Sequence, residues 1–232
     1  MALRSAQKNT EFRFLFDSIK LIIPRVHVLP SLALSLEKQL SQRPASYCYK
    51  NFVVRSYIIN SGLSFFQLEN AFQNDFLPED CFTLFTTLKA SNGEYSSSIL
   101  HCGTHGISDL YYTIDNQRYN RLEFDCDWDS KTDFMRPYMA LFENQGSYTD
   151  LGSWINPERF RSGGYAWFRQ NFRNSPPPEC DTSIEPSRSA QVRLTVKFKT
   201  PPAQALRMYI LTRRTVELFL DEQRSVLRNF IV

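Results

Sequence analysis

Residues 191–219 constrain the fold more than any other part of the chain. They read QVRLTVKFKT, then PPAQA up to position 205, then LRMYILTRRTVELF. In the first run Val192, Leu194, Val196 and Phe198 alternate with Arg193, Thr195, Lys197 and Lys199. That period of two belongs to a strand with one buried and one wet face. Pro201 and Pro202 then end the ladder, because proline has no N–H to donate. The second run is rich in Tyr, Ile, Leu, Thr and Val, and it reads as the return arm of an antiparallel hairpin. A hairpin is marginal alone, so other strands must cover its apolar face.

Composition points the same way. Aromatic residues make up 14% of the 232, with nineteen Phe and eleven Tyr, and such side chains favour half-buried pleated surfaces. An all-β sandwich of this length is commonly one domain with a full core. The net charge of +3 is too small and too spread for a nucleic-acid footprint. Cys48, Cys81, Cys102, Cys126 and Cys180 are widely spaced and odd in number, which favours reduced thiols inside a cell over a disulfide framework. The first ten residues lack the apolar centre of a signal peptide, and no apolar run is long enough to span a bilayer.

Residues 17–29 (DSIKLIIPRVHVL) alternate at Ile19, Leu21 and Ile23, with Pro24 demoting them to an edge or bulged strand. In residues 30–42 Leu32, Leu36 and Leu40 recur every four positions behind Pro30, which predicts a short amphipathic helix ending before Pro44. Strands are expected over 46–60, with Val53, Tyr57 and Ile59 sharing a buried face, and over 81–89. Residues 61–78 read as a packed loop. Residues 109–124 predict a hairpin turning at Asp115 and Asn116, both tolerant of positive φ. A short helix is expected within 134–142, an aromatic strand within 163–172 behind two glycines, and a proline-rich loop over 174–189.

Three clusters invite chemistry. His101, Cys102 and His105 have metal-ligand side chains, but no fourth ligand or general base is nominated nearby, so no metal is expected. Asp125, Asp127 and Asp129 would share one face of a strand. They lack the glycine and glutamate of a calcium loop and the cleft-spanning separation of a hydrolytic pair, so they read as a solvated strand end. Arg159, Arg161, Arg169 and Arg173 interleave with Phe160, Tyr165, Trp167, Phe168 and Phe172. That mixture can stack on single-stranded nucleic acid, but it reads more simply as core aromatics with arginines at the rim. No nucleophile elbow and no phosphate-cradling loop is present. No catalytic residue, cofactor or metal site is therefore assigned.

Several segments in order resemble one family: RVHVLPSLALSLEKQL, VVRSYIINSGLSFFQLENAF, LYYTIDNQRYN, MRPYMALFENQG, RSGGYAWFRQNF and the closing pair of strands. Their most specific pieces are Gly62-Leu63-Ser64-Phe65 with Glu69-Asn70, Tyr138-Met139 with Leu141-Phe142, and Gly163-Gly164-Tyr165. From residue 17 to the end, the chain is similar to the C-terminal half of the hexon-type major capsid proteins of Polinton/Maverick elements and their adintovirus-like relatives. The resemblance implies a double jelly roll that forms pseudo-hexagonal trimers. On that basis residues 1–45 are expected to be a tail, an edge strand and a linking helix left from a preceding jelly roll. Residues 46–232 are then expected to form the second jelly roll.

The expected fold is all-β, an antiparallel jelly-roll sandwich with one or two short helices. The expected function is structural and non-enzymatic: a capsid subunit, or a transposon- or virus-derived fragment of one, acting by self-assembly. Its partners would be copies of itself, as a homotrimer, and other capsid proteins, with neither membrane nor nucleic acid among them. Its place would be the virion or the cell interior. The alternative is a β-sandwich that binds carbohydrate or a protein partner. A hydrolase built on the three aspartates ranks behind both.

Overall fold

The computed structural model describes residues 15–73, 76–94, 96–130, 132–143, 154–172 and 188–220, together with the backbone of 226–229. Eight strands make two antiparallel sheets. They are β1 (Ala45–Ile59), β2 (Phe65–Leu68), β3 (Asp80–Thr87), β4 (Ile107–Ile114), β5 (Gln117–Asp125), β6 (Trp167–Asn171), β7 (Val192–Phe198) and β8 (Leu206–Leu220). A short β9 (Val226–Asn229) pairs with the end of β8. One sheet runs β1-β8-β3-β6 and the other β2-β7-β4-β5. The pairings nest: β1 with β8, β2 with β7, β3 with β6 and β4 with β5. A chain folded back on itself and then rolled into two sheets gives this order, and it is the jelly roll.

The strand periods in the sequence account for the core. Val192, Leu194, Val196 and Phe198 of β7 are all buried, and so are Leu206, Met208 and Ile210 of β8. They meet Ile59, Phe85, Tyr112 and Phe168, each fully enclosed between the sheets. The β4–β5 hairpin turns where the sequence places it, with Asp115 at φ 50° and Asn116 at φ 63°. Two positive φ values in a two-residue turn match the right-handed twist of the strands they join.

Two expectations are corrected. Strands β7 and β8 do not form a hairpin: β7 pairs with β2 and β4, and β8 pairs with β1 and β3. The connection over 199–205 crosses between the sheets, tied down by Gly62 N–H to Pro202 O and Leu88 N–H to Ala205 O, both 2.9 Å. Alternation specifies which face of each strand is buried, and both strands satisfy it in separate sheets as well as they would together. Residues 17–29 form no strand either. Pro24 removes one donor, no described strand pairs with them, and an extended segment without a partner is not a strand.

The helix over 30–42 forms where its leucines predict, as α1 (Pro30–Gln42), with proline in the first turn and none of its residues buried. The residues read as a packed loop hold β2 and the buried Ala71 and Phe72. Three further helices are short: α2 (Leu88–Ser91), α3 (Met135–Phe142) and α4 (Pro157–Ser162). The expected helix within 134–142 is α3, whereas α2 and α4 are too short for periodicity to reveal. Asn156 caps α4 by accepting from the Arg159 N–H at 2.8 Å. A second cluster joins Phe134, Leu141 and Phe160 from this region to Phe82 and Trp167 of the first sheet. No described helix is long and apolar enough to cross a membrane. Most of the proline-rich stretch 174–189, with Arg173 and Cys180, lies outside the described residues.

Candidate assembly surface

The outward faces of the two sheets differ in kind. On the β2-β7-β4-β5 sheet most outward side chains are charged or polar and pair among themselves, with Phe65 of β2 the exposed apolar exception among the described strand residues. Arg118 donates from Nε to Glu123 at 2.8 Å and lays its guanidinium 3.9 Å from the Tyr111 ring centroid. Arg193 meets Glu69 at 2.7 Å, and Lys197 meets Asp109 at 3.7 Å. Such a face is built for water, although exposed pairs of this sort add little stability.

The β1-β8-β3-β6 sheet is covered on its β6 side by α3 and α4. Among the described residues nothing covers its β1 side, which is apolar: Phe52 is 56% exposed, Val54 62% and Ile58 51%. In register beside them on β8 lie Leu211 opposite Val54 and Arg213 opposite Phe52. The border between the covered and bare halves is a buried charge cluster. Asp80 accepts from Arg169 Nη2 and from Arg213 Nη2, each at 2.6 Å. Arg169 also donates to the Glu143 carbonyl, past the last residue of α3, and so ties the helix to the sheet. β1 and β8 are each longer than β3, which pairs only with positions 206–213 of β8. The remaining halves, 45–51 and 214–220, run past it as a ribbon, with β9 beside residues 217–220.

The segment ahead of the sandwich is also apolar and uncovered. Ile19, Leu21, Ile22 and Val26 are 84–89% exposed, and Leu32, Leu34 and Leu36 of α1 are exposed as well. A helix of this length is marginal in water without tertiary contacts. Monomeric proteins seldom leave contiguous apolar surface of this extent uncovered, and where they do it marks an interaction site.

The clusters singled out in the sequence take other roles. His101 is exposed and packs its ring against the Gly164 backbone, leaving no room for a Cβ there. Cys102 is buried and bridges to Tyr165, and burial pushes its thiol up to about 11, which disfavours the thiolate that binds metals. His105 has φ 49° and rests its ring on Gly103. Among the described residues no three His, Cys, Asp or Glu side chains are grouped to hold a metal. Asp127 and Asp129 both accept from Lys199 Nζ at 3.1 Å, while Asp125 ends β5. Hydrogen bonding from Lys199 holds the Asp127 carboxyl below its ordinary value, so this pair answers a surface lysine.

The arginine and aromatic stretch is likewise divided. Phe160, Phe168 and Phe172 belong to the cores, and Arg169 is the buried partner of Asp80. Arg161 lies over Phe134, and Arg159 lies 5.2 Å over Trp154, which is 72% exposed and set edge-on to Tyr165. The cavity between Val53, Arg55, Phe72, Phe76 and Thr212 measures about 10 Å³, room for one water at most.

Sequence reasoning did not single out Phe52, Val54 and Ile58. Their signal was present, since NFVVRSYII carries large apolar side chains at both parities, the pattern of a strand covered on both faces.

No protein-family model and no curated protein matches the chain. Among solved structures it is similar to a chain of the Sputnik virophage, with 16% identity over 82% of this chain and 39% of that one, at a TM-score of 0.48. A chain of the PBCV-1 virus capsid gives 10% identity over 85% and 54%, at 0.42. The mavirus major capsid protein gives 9% identity over 84% and 43%, at 0.39. The chain thus spans between two fifths and just over half the length of the chains it matches.

Proposed function

We propose that this chain is a structural capsid subunit of the hexon type that acts by assembly rather than catalysis. The observation that carries the reading is the asymmetry of the sandwich. One outward face is mostly charged and self-paired, and the other is left apolar at β1, with an equally apolar segment exposed ahead of α1. A jelly roll that leaves one broad side unfinished is a building block, and the sequence resemblance names the kind of building. In this reading residues 1–45 link to a preceding jelly roll and residues 46–232 form the second. The partners are copies of the chain and other capsid proteins, and the location is the virion.

Two forms of the protein test this, the chain alone and the chain with a complete first jelly roll fused ahead of it. Light scattering and negative-stain electron microscopy of the fused form should show discrete trimers. If it stays monomeric, the capsid reading fails. A second reading, a module for carbohydrate, is favoured by one observation, the exposed Trp154 ring braced by Tyr165 and Arg159. Saturable binding of a sugar that Trp154→Ala abolishes would promote it.

A further inference from the structure

The chain leaves two apolar surfaces exposed, one on β1 and one ahead of α1, and within one molecule neither covers the other. Val54 stays 62% exposed on β1, and Leu21 stays 85% exposed on the segment ahead of α1. Arg43 is extended, with φ −151° and ψ 127°, the conformation that Pro44 imposes on the residue before it. No residue of α1, about 20 Å long at 1.5 Å per residue, is buried, and the segment ahead of it stays exposed, so neither covers the β1 face of its own molecule. Among the described strands only β8 pairs with β1, so β1 is the edge of its sheet. An edge strand with an apolar outward face is a template for another strand.

We propose that residues 17–23 of one copy add as a strand to the free edge of β1 in a second copy, and that the second copy returns the contact. Ile19, Leu21 and Ile23 alternate with Ser18, Lys20 and Ile22. One side of the added strand therefore continues the surface of Phe52, Val54 and Ile58, while its backbone completes the ladder of β1. Pro24 stops the addition, because it has no N–H to give the edge. A contact between unlike patches closes when two copies exchange it reciprocally. Each copy then contributes its arm over residues 15–29 and its β1 face, close to the roughly 20–30 residues a side of a standard interface. The exchange deepens the assembly reading and rests on it for its setting.

The test uses the full chain in size-exclusion with light scattering between 1 and 100 µM. The expected result is a concentration-dependent dimer of twice the 27.1 kDa chain mass. Leu21→Asp in the arm and Val54→Asp on the face should each weaken it at least tenfold. Both positions are exposed, so unchanged circular dichroism is expected, and Ile58→Asp replaces Val54→Asp if that variant does not fold. Mixing the arm variant with the face variant should restore a dimer, because one supplies an intact face and the other an intact arm. A monomeric parent chain at 100 µM, a dimer indifferent to Leu21→Asp, or variants that fail to complement would each overturn the exchange. Trimers of the fused form, together with a parent-chain dimer that ignores Leu21→Asp, would overturn the exchange and leave the capsid reading standing. An exchanged dimer without trimers would do the reverse.

Discussion

Arg169 and Asp80 form an ion pair in which neither side chain reaches water: their side chains are 2% and 1% exposed. The guanidinium donates to Oδ2 through Nη2 at 2.6 Å and through Nε at 3.0 Å, and Arg213 adds two more hydrogen bonds to the same carboxylate from the rim. Removing the carboxylate strands a buried guanidinium, so Asp80→Ala is expected to cost about 3–5 kcal/mol. Arg213→Ala, at a side chain 28% exposed, should cost less than Asp80→Ala. Denaturant unfolding of both variants checks the order, and equal losses would contradict the burial argument.

Tyr112 and Thr83 join the two sheets through the core, their hydroxyls 2.9 Å apart. Tyr112→Phe leaves the Thr83 hydroxyl enclosed without that partner and should cost about 1–3 kcal/mol. Thr83→Val removes the other half. The two losses should not add, because with both groups gone nothing polar is left unpaired. A double-mutant cycle measures this, and simple additivity would mean the hydroxyls do not bond.

How far the fold was legible follows from what each signal specifies. Residues 109–124 were readable as a hairpin because the turn chemistry is local: Asp115 and Asn116 tolerate the φ values the turn requires. The same holds for α1, whose leucines and proline set its span. Strand partnership was not readable. Val192 to Phe198 and Leu206 to Ile210 announce a buried face each, but the partners of the first lie far back in β2 and β4 and those of the second in β1 and β3. The bare face of β1 was half legible: the alternation picked out Val53, Tyr57 and Ile59 as the inward face, while Phe52, Val54 and Ile58, apolar at the other parity, were not singled out. Only the absence of a covering layer makes them surface. Arg169 was assigned to the rim, and nothing local shows that Asp80 waits for it across the sheet.

The buried thiols make the protein sensitive to alkali. Burial pushes Cys81 and Cys126 up to about 12 and Cys102 up to about 11, whereas in the unfolded chain a thiol ionises near ~8.5. With the folded value raised, the stability each thiol contributes is complete below about 8.5 and is lost as pH rises toward the folded values. The loss reaches about 1.4 kcal/mol per pH unit for each thiol. Unfolding free energies between pH 8 and 10.5 should fall steeply, and Cys81→Ala should flatten the slope by about one thiol's share. The exposed Cys48 should meanwhile react with a thiol reagent in the native state, before Cys81, Cys102 and Cys126. A Cys180→Ser background keeps that measurement to the described cysteines.

His105 gives the acid side its own test. Its Nε2 is enclosed with no hydrogen-bond partner, so a proton added there has nothing to bond. Burial lowers its pKa, a hydrogen bond to the Phe85 backbone opposes that in part, and the neighbouring His101 lowers it again. In the unfolded chain the imidazole protonates near ~6.5. A depressed folded value means that the contribution of His105 is present above about 6.5 and is lost as pH falls toward the folded value. The loss is at most about 1 kcal/mol per pH unit, since the residue is only partly shielded from water. Carboxylates also titrate in acid, so the informative quantity is the difference between the parent and a variant. His105→Asn suits this, because asparagine tolerates the positive φ of 49° that most residues resist. The difference in unfolding free energy should shift in favour of the variant between pH 7 and 5. A difference that stays constant over that range would mean that His105 protonates in place, and that the loop from Cys102 to Gly106 accommodates the charge without opening.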